Sequence, residues 1–392
     1  MSIKVASRLD SIHEYYFSKK LKEIADLNAA GKNVLNLGIG SPDLPPSVPA
    51  IEKLVETARL PTSHAYQGYV GVLALREAMS VFYKKHYDVS LNPVNEILPL
   101  LGSKEGIMHI CMTYLETGDE ALLPNPGYPT YRAAVTLAGA KCVDYNLTET
   151  NGWLPDLEKL AKQDLSKVKL MFVNYPHMPT GAQGTKAFFE ELVAFAKQHN
   201  ILVINDNPYS FILNDHPLSI LSVDGAKDIV LELNSLSKSH NMAGWRVGLL
   251  AGKAEFLNDV LRFKSNMDSG MFLPVQIAAI EALKADKEWY LDLNDEYRRR
   301  QQKVFVLLSL LGCTFDERQT GMFVWAKIPP QYKTGFELSD EILHGANVFI
   351  TPGGIFGNQG DGYIRSSLCA RESVFEEAIE RVKVFHKQLI VK

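Results

Sequence analysis

The chain has 392 residues, of which 46% are hydrophobic and 22% are charged, and its formal net charge at pH 7 is −4. A chain of this length and apolar content can bury a large core, which predicts two domains. The nearly balanced charge argues against a nucleic-acid-binding protein and against a polybasic, membrane-binding surface.

The first twenty residues, MSIKVASRLDSIHEYYFSKK, carry charges throughout and lack the apolar core of a signal peptide. The longest apolar runs are too short to cross a bilayer. Four cysteines lie far apart, without the spacing of a metal site or a disulfide framework: Cys111, Cys142, Cys313 and Cys369. These features together predict a cytoplasmic protein with reduced thiols.

Helical patterns alternate with short apolar runs through the first two thirds of the chain. Helices are predicted over Val72–Lys85, Lys104–Tyr114, Lys186–His199 and Glu255–Lys264. The apolar runs are EILPLLG, EALLP, KCVDY, KLMFVN, ILVIND, IVLEL and VGLLAG. Because these runs do not alternate with polar residues, they indicate an α/β fold with a mostly parallel, seven-stranded type of sheet covered by helices on both faces.

The last third of the chain has a different pattern. A long helical stretch, Gln276 to about Leu311, precedes the short strands GMFVWAKI, VFIT and GYIRSSL and a closing helix, Glu372–Leu389. This order predicts a smaller α+β domain. We therefore expect a large domain over residues 46–275 and a small domain over residues 276–392, which the N-terminal segment 1–45 joins.

Charged and polar residues follow the predicted strands, at the carboxyl ends where open α/β sheets bind their ligands. ILVIND ends at Asp206, and Tyr209 follows three residues later. The next strand leads into Lys238, with Arg246 eight positions further on. A buried acid is costly unless it is paired, although a lone Asp before Asn-Pro most often caps a turn.

The segment LGSKEG places Gly102, Ser103 and Lys104 between a strand and a helix start. N–H groups at a helix N-terminus bind phosphate, although many helices begin with Gly-Ser for capping alone. A lysine, an acid, an arginine and such a helix start together suit a phosphorylated, cationic aromatic ring with an aldehyde. Pyridoxal phosphate is that kind of group, since a lysine forms its imine and an acid pairs with its ring N–H.

These motifs resemble those of the class I and II aminotransferases, which are fold-type I pyridoxal-phosphate enzymes, over nearly the whole chain. SLSKSHNMAGWRVG is similar to the family motif Ser-x-Ser-Lys followed by Gly-x-Arg-x-Gly. The resemblance implies that Lys238 is the Schiff-base lysine and that Ser235 and Arg246 bind the phosphate. It also implies that Asp206 pairs with the ring nitrogen and that Tyr209 contacts the ring hydroxyl.

Further segments match the family in chain order. The resemblance places Gly102, Ser103 and Lys104 in the phosphate loop, and it places Tyr128, in PNPGYPTY, on the ring face. Tyr66, in YQGYVGVLALR, falls where the family reaches the phosphate of the neighbouring subunit. The resemblance therefore implies a homodimer.

The substrate contacts follow from the same resemblance. Arg365, in GYIRSSL, falls where the family binds the substrate α-carboxylate, and Ile39 and Gly40, in LGIGSPDLPP, fall beside that carboxylate. One position departs from the family, whose loop normally reads Asn-Pro-Thr-Gly: here Met178 replaces the asparagine that donates to the ring hydroxyl oxygen. Methionine has no donor to offer, so Tyr209 becomes the main protein donor to that oxygen.

The resemblance implies an aminotransferase that moves an amino group between an α-amino acid and a 2-keto acid. Two alternatives stay open: a carbon–sulfur β-lyase or other amino-acid lyase on the same scaffold, and a non-catalytic binding protein. No metal site is predicted, since the histidines lack ligand spacing. The substrate side chain is not specified, because the α-carboxylate is common to all amino acids.

Overall fold

The computed structural model describes residues 3–10, 12 and 16–390, with side chains as far as residue 385. Its helices are α1 Tyr16–Ala29, α2 Val48–Ala58, α3 Leu73–Tyr87, α4 Ser103–Tyr114, α5 Pro129–Leu137, α6 Leu157–Ala161, α7 Lys186–His199, α8 Leu236–Ser239, α9 Ala254–Lys264, α10 Leu273–Ala282, α11 Lys287–Leu310, α12 Gly335–Ala346 and α13 Glu372–Ile390. In the part of the chain described, no helix has both the length and the apolar character needed to cross a membrane.

The strands are β1 Leu35–Asn36, β2 Ile97–Leu100, β3 Glu120–Asn125, β4 Lys141–Asn146, β5 Val168–Val173, β6 Leu202–Asp206, β7 Val230–Ser235, β8 Gly248–Gly252, β9 Phe323–Lys327, β10 Val348–Phe349, β11 Thr351–Pro352 and β12 Tyr363–Ser367. Seven of them form one sheet in the order β2-β8-β7-β6-β5-β3-β4. All neighbours in this sheet are parallel except at β8, which runs antiparallel to β2 and β7. The predicted α/β fold with a mostly parallel sheet is confirmed.

Both faces of this sheet are buried. Along β5, Met171 and Val173 belong to one hydrophobic cluster, whereas Leu170 and Phe172 belong to another. Successive side chains of a strand point to opposite faces, so each face carries its own apolar layer under helices. This double burial explains why the run LMFV of β5 contains no polar residue, whereas the edge strand β4 exposes Lys141, Asp144 and Asn146.

A second, smaller layer is built from distant parts of the chain. Strands β11, β12 and β9 form an antiparallel sheet, and β1 pairs in parallel with β10. The pairing of Leu35 with Val348 brings the N-terminal segment against the C-terminal region. The domain boundaries given above stay a prediction, and residues 1, 2, 11, 13–15, 391 and 392 lie outside the described part.

Two elements that the sequence predicts as continuous are each divided into two in the structure. The helical stretch from Gln276 to Leu311 is two helices, because the side chain of Asp286 accepts a hydrogen bond from the Trp289 N–H at 3.0 Å and starts α11. The run VFIT is also divided, since β10 pairs with β1 while Thr351 of β11 pairs with Arg365 of β12.

Candidate active site

A cavity of about 530 Å³ lies at the carboxyl ends of the parallel strands. Open α/β sheets bind ligands in this position, because the strand-end loops converge there. Most of the residues predicted from the sequence line it: Ile39, Gly40, Ser103, Lys104, Tyr128, Met178, Asp206, Tyr209, Ser235, Lys238, Arg246 and Arg365. Segments as far apart as β1 and β12 therefore contribute to one site.

Asp206 is the acid at the end of β6, and its side chain is buried. Its Oδ2 accepts a hydrogen bond from the Tyr131 hydroxyl at 2.9 Å, whereas its Oδ1 has no hydrogen-bond partner among the described residues. Burial raises the pKa of Asp206 to about 7, with the Tyr131 hydrogen bond opposing that shift and the Glu232 charge adding to it. A cationic N–H donor in the cavity would stabilise the ionised form of this buried carboxylate, because it would supply the hydrogen bond and the opposite charge that Oδ1 lacks among the described residues.

Lys238 lies in α8, the short helix that follows β7 directly. Its Nζ donates to the carbonyl oxygen of Gly40 at 2.6 Å. Burial lowers the pKa of the Lys238 ammonium; the Arg365 and Arg246 charges also lower it, and Cys369 opposes them. Since desolvation disfavours the charged form, this amine is easier to deprotonate than an exposed lysine.

The N-terminus of α4 packs closely against the side chain of Arg246. Gly102, the N-cap of that helix, has a φ of +87°, and a Cβ at this position would lie 2.0 Å from Nη2 of Arg246. Only glycine fits this conformation and this approach. Ser235 lies opposite, at the end of β7, where its Oγ accepts from the Ser237 N–H at 3.1 Å. Helix N–H groups, a guanidinium and hydroxyls here form a site suited to a phosphate.

Two tyrosines flank the cavity. Tyr128 is the N-cap residue of α5, and its ring lies edge-on to Tyr131 with centroids 5.6 Å apart. Tyr209 follows β6 and lies edge-on to Phe323 at 5.9 Å. Burial raises the pKa of both hydroxyls, so both stay protonated and able to donate at neutral pH.

Arg365, on β12, is a buried arginine whose guanidinium lies against aromatic rings. Its Nη2 donates to the Gly38 carbonyl at 2.7 Å, and its guanidinium carbon lies 3.9 Å from the ring centroid of Phe323. Its Nη1 lies 3.3 Å from the sulfur of Met178. A guanidinium in this position can bind a carboxylate through two parallel hydrogen bonds.

Met178, the residue that departs from the family motif, is held rigidly at the cavity wall. Its N–H donates to Oδ1 of Asn174 at 2.8 Å, and Nδ2 of Asn174 donates to the carbonyl oxygen of Asp206. Both ends of the Asn174 amide are therefore engaged. Asn174 lines the cavity, but it does not replace the donor that an asparagine at position 178 would supply.

Tyr66 and Gly102 are predicted site residues that do not line the cavity of this chain. Gly102 contributes indirectly, because its lack of a side chain leaves room for the guanidinium of Arg246. Tyr66 is 91% exposed, and its segment packs against another with an exposed apolar side chain, since the rings of His64 and Phe272 lie 6.0 Å apart. Within a single chain the structure therefore leaves Tyr66 outside the site.

Several residues line the cavity although no site prediction from the sequence includes them: Phe17, Tyr131, Asn174, Phe323 and Phe356. Tyr131 could have been found, since it follows Tyr128 by three residues at a helix start and so lies on the same side of α5. Asn174 could also have been found, because it is the last residue of the predicted strand KLMFVN, at the strand end where ligands bind. The three phenylalanines carry no local signal that separates them from core residues.

His109 lies beside two carboxylates, although the histidines of the sequence lack the spacing of a metal site. The ligand atoms of Glu105, His109 and Asp268 all lie within 4.8 Å of one another. The ammonium of Lys264 lies 2.7 Å from Asp268 Oδ2 and already supplies a positive charge to this cluster. The Lys264–Asp268 ion pair at the end of α9 therefore lies beside the Glu105–His109 pair of α4.

Comparison with known proteins identifies the family to which this site belongs. The model of the family "Aminotransferase class I and II" matches residues 32–382. LL-diaminopimelate aminotransferase of Dehalococcoides mccartyi is 39% identical over 387 residues, which cover 98% of this chain and 100% of that protein. The enzyme of the same name from Moorella thermoacetica is 39% identical over 96% of this chain and 97% of its own length.

Solved structures agree in fold. Substrate-bound BacF from Bacillus subtilis has a TM-score of 0.93 and 36% identity, with 98% of each chain covered. A mutant aspartate aminotransferase from Thermus thermophilus has a TM-score of 0.91 at 23% identity, covering 98% of this chain and 100% of that one, which is a likeness of fold alone. The family match, the full-length relatives and the fold agree, so this chain belongs to the class I and II aminotransferase family and is an aminotransferase.

Proposed function

We propose that this chain catalyses transamination with pyridoxal phosphate, using Lys238 as the covalent anchor and proton carrier. The observation that carries the proposal is that Oδ1 of buried Asp206 has no hydrogen-bond partner among the residues the structure describes, while Asp206 lines the same cavity as Lys238. A protonated ring nitrogen supplies the missing donor, and an aldehyde is the group that a deprotonated lysine binds. The residues present therefore fit the cofactor of the family.

The cofactor would be held by groups on four strand-end loops. Asp206 would pair with the ring nitrogen, Tyr209 would donate to the ring hydroxyl oxygen, and Tyr128 would cover one ring face. The phosphate would be bound by the residues around the start of α4: Gly102, Ser103, Lys104, Ser235 and Arg246. Bound in this way, pyridoxal phosphate supplies an electron-withdrawing ring that accepts negative charge from the substrate α-carbon.

Lys238 and Arg365 act on the substrate. The guanidinium of Arg365 orients the α-carboxylate, with Ile39 and Gly40 beside it. Desolvation at Nζ of Lys238 favours the neutral amine, which can accept the proton from the substrate α-carbon. The resulting ammonium can then donate that proton again to complete the transfer of the amino group. Arg365 and Lys238 line one cavity, so a single bound amino acid can contact both.

The cofactor's ring hydroxyl has one protein donor fewer than in most of the family. Met178 offers no N–H or O–H to that oxygen, so Tyr209 carries the contact alone. This change affects the titration of the bound cofactor rather than its binding, because the phosphate, ring-nitrogen and lysine contacts do not involve residue 178.

A homodimer completes the site in this proposal, with Tyr66 reaching the phosphate in the neighbouring subunit. The exposure of Tyr66, Tyr69 and Phe272 supports it, since exposed apolar side chains on neighbouring segments favour association. A strictly monomeric active enzyme in solution would contradict this role of Tyr66.

The test is a paired assay of the purified protein with added pyridoxal phosphate. We expect visible absorbance from the bound cofactor, its conversion by an amino acid, and formation of one keto acid for each keto acid aminated. Release of pyruvate and ammonia from a single substrate would instead identify a lyase. A protein that stays colourless with the added aldehyde would overturn the proposal. LL-diaminopimelate, the substrate in the names of the relatives, serves as the reference donor.

A further inference from the structure

The side of the cavity away from the strand ends is apolar. It is lined by Phe17 of α1, Phe323 of β9 and Phe356, together with Ile39 and Met178. The three phenylalanine side chains are each less than a tenth exposed. Phe17 is more than 300 residues from the other two along the chain, and it meets them because the N-terminal segment packs against the C-terminal layer.

The charged groups that line the cavity all have a place in the proposed function. Among the described lining residues they are Lys104, Asp206, Lys238, Arg246 and Arg365. The first four contact the cofactor in the proposed function, and Arg365 takes the α-carboxylate. Within one protomer, no further charged side chain of the described part lines the cavity, so this chain's own lining leaves none to pair with a charge on the substrate side chain.

The amide of Asn174, an uncharged polar group in the lining, is also engaged. Asn174 uses its amide nitrogen on the Asp206 carbonyl and its amide oxygen on the Met178 N–H. The hydroxyls of Ser103, Ser235 and Ser237 lie at the phosphate end, around α4 and α8. A polar substrate side chain would therefore lose water without gaining partners of comparable strength.

The aromatic rings also surround the guanidinium that binds the substrate. The guanidinium carbon of Arg365 lies 3.9 Å from the ring centroid of Phe323, 4.7 Å from that of Phe356 and 5.8 Å from that of Phe17. A substrate whose carboxylate reaches Arg365 brings its side chain against these rings. The rings then exclude water from that side chain.

We infer that the amino donor of this enzyme carries a large apolar side chain, aromatic or aliphatic, and that Phe17 is a specificity-determining residue. The inference rests on the proposed function and narrows its substrate class. It differs from the substrate named for the relatives, because LL-diaminopimelate carries a second ammonium and a second carboxylate at its far end. A dicarboxylic amino acid is disfavoured for the same reason.

Phe17 is the cavity phenylalanine whose substitution should change substrate preference most directly. It is the lining residue that α1 contributes, and its ring joins a small cluster with Ile24, Leu343 and Phe349 that fixes the helix in place. Phe323, by contrast, packs closely against the backbone of Gly40, since a Cβ on Gly40 would lie 2.3 Å from its ring. Substitution of Phe17 therefore changes the pocket with less disturbance of the site.

The first experiment measures conversion of the bound cofactor in single turnovers by phenylalanine, methionine, leucine, alanine, glutamate and LL-diaminopimelate. We expect kcat/KM for the best large apolar donor to exceed that for each of the other three at least about 10-fold. Equal or faster conversion by glutamate or LL-diaminopimelate would overturn the inference and leave the proposed function intact. No conversion by any donor would overturn both.

The second experiment compares Phe17→Ala with Ile24→Ala on the same helix. Ile24 is buried in the same cluster but does not line the cavity. We expect Phe17→Ala to reduce the ratio of kcat/KM for phenylalanine to that for alanine by about 10-fold, Phe17→Leu to restore most of it, and Ile24→Ala to preserve it. The ratio is independent of the folded fraction, so an unchanged ratio in Phe17→Ala would contradict the assignment.

Discussion

The two sides of the cavity differ in chemistry and in origin. The side at the strand ends is polar: Asp206 ends β6, Ser235 ends β7 and Lys238 follows it directly. The opposite side is apolar and consists of Phe17, Phe323 and Phe356, brought together from the two ends of the chain. The first side is built by one sheet, and the second by packing between layers.

This difference separates two tasks. A cofactor that is the same in every reaction can be bound by fixed groups on a rigid parallel sheet, which holds them with little motion. A substrate side chain varies between enzymes of one family, and the surface that selects it can change without disturbing the sheet. Substitutions on the polar side should therefore affect all substrates alike, whereas those on the apolar side should affect the ratio between substrates.

The largest expected effect is that of Lys238→Ala on the polar side. Loss of the amine removes both the covalent anchor and the proton carrier, so turnover should fall at least about 10⁴-fold for every donor. Steady-state kinetics with two dissimilar donors measures this, and absorbance should still detect some bound cofactor. Lys186→Ala, on the exposed face of α7, is the control. Activity near that of the parent enzyme would remove Lys238 from its proposed role.

The second prediction concerns the pH dependence of stability. Burial raises the pKa of Asp206 from 3.8 to about 7, so between those values the folded chain holds a proton that the unfolded chain has lost. Stability without cofactor should therefore fall as pH rises through this window, by at most about 4 kcal/mol from this group. Asp206→Asn should remove that part of the slope.

Chemical denaturation at pH 4.5 to 7.5, on protein free of cofactor, measures this slope. Asp224→Asn, at an exposed carboxylate, is the matched control and should leave the slope of the parent protein unchanged. An identical slope in Asp206→Asn and the parent would mean that Asp206 is ionised throughout, and the desolvation argument would then fail.

The smallest effect is expected at Met178, which lies where the two sides meet. Met178→Asn should lower the pH at which the visible absorbance of the bound cofactor titrates, by up to about one or two units, because asparagine adds a donor to the ring hydroxyl oxygen. Met178→Leu, which is apolar and has no donor, should titrate like the parent. An equal or higher midpoint in Met178→Asn would reject this explanation.

The polar side of the site could be predicted in most of its residues because each lies in a short, continuous motif. Lys238 and Arg246 share one segment, and Asp206 and Tyr209 share another. A residue that ends a buried strand also has a known position at the edge of the sheet, so its neighbours on adjacent strands can be inferred. Tyr131 was missed only because its role depends on which side of α5 faces Asp206.

The apolar side could not be predicted, since a phenylalanine that lines a pocket has the same local pattern as one in a core. Phe17 lies in an amphipathic helix and Phe323 in a short strand, and neither pattern indicates a cavity. The breaks at Asp286 and within VFIT were missed for a related reason. Hydrophobic periodicity does not reveal that a run changes its partner, as β10 and β11 do.

The parallel sheet, the strand-end loops and the residues suited to pyridoxal phosphate follow from local periodicity and contiguous motifs, so the amino-acid sequence is enough to predict them. Three-dimensional packing was needed to show that Phe17, Phe323 and Phe356 lie around Arg365, and that Oδ1 of Asp206 has no hydrogen-bond partner in the described part of the chain. Those features arise from packing between residues far apart in the chain. Such contacts depend on the whole fold, and no short stretch of sequence encodes them.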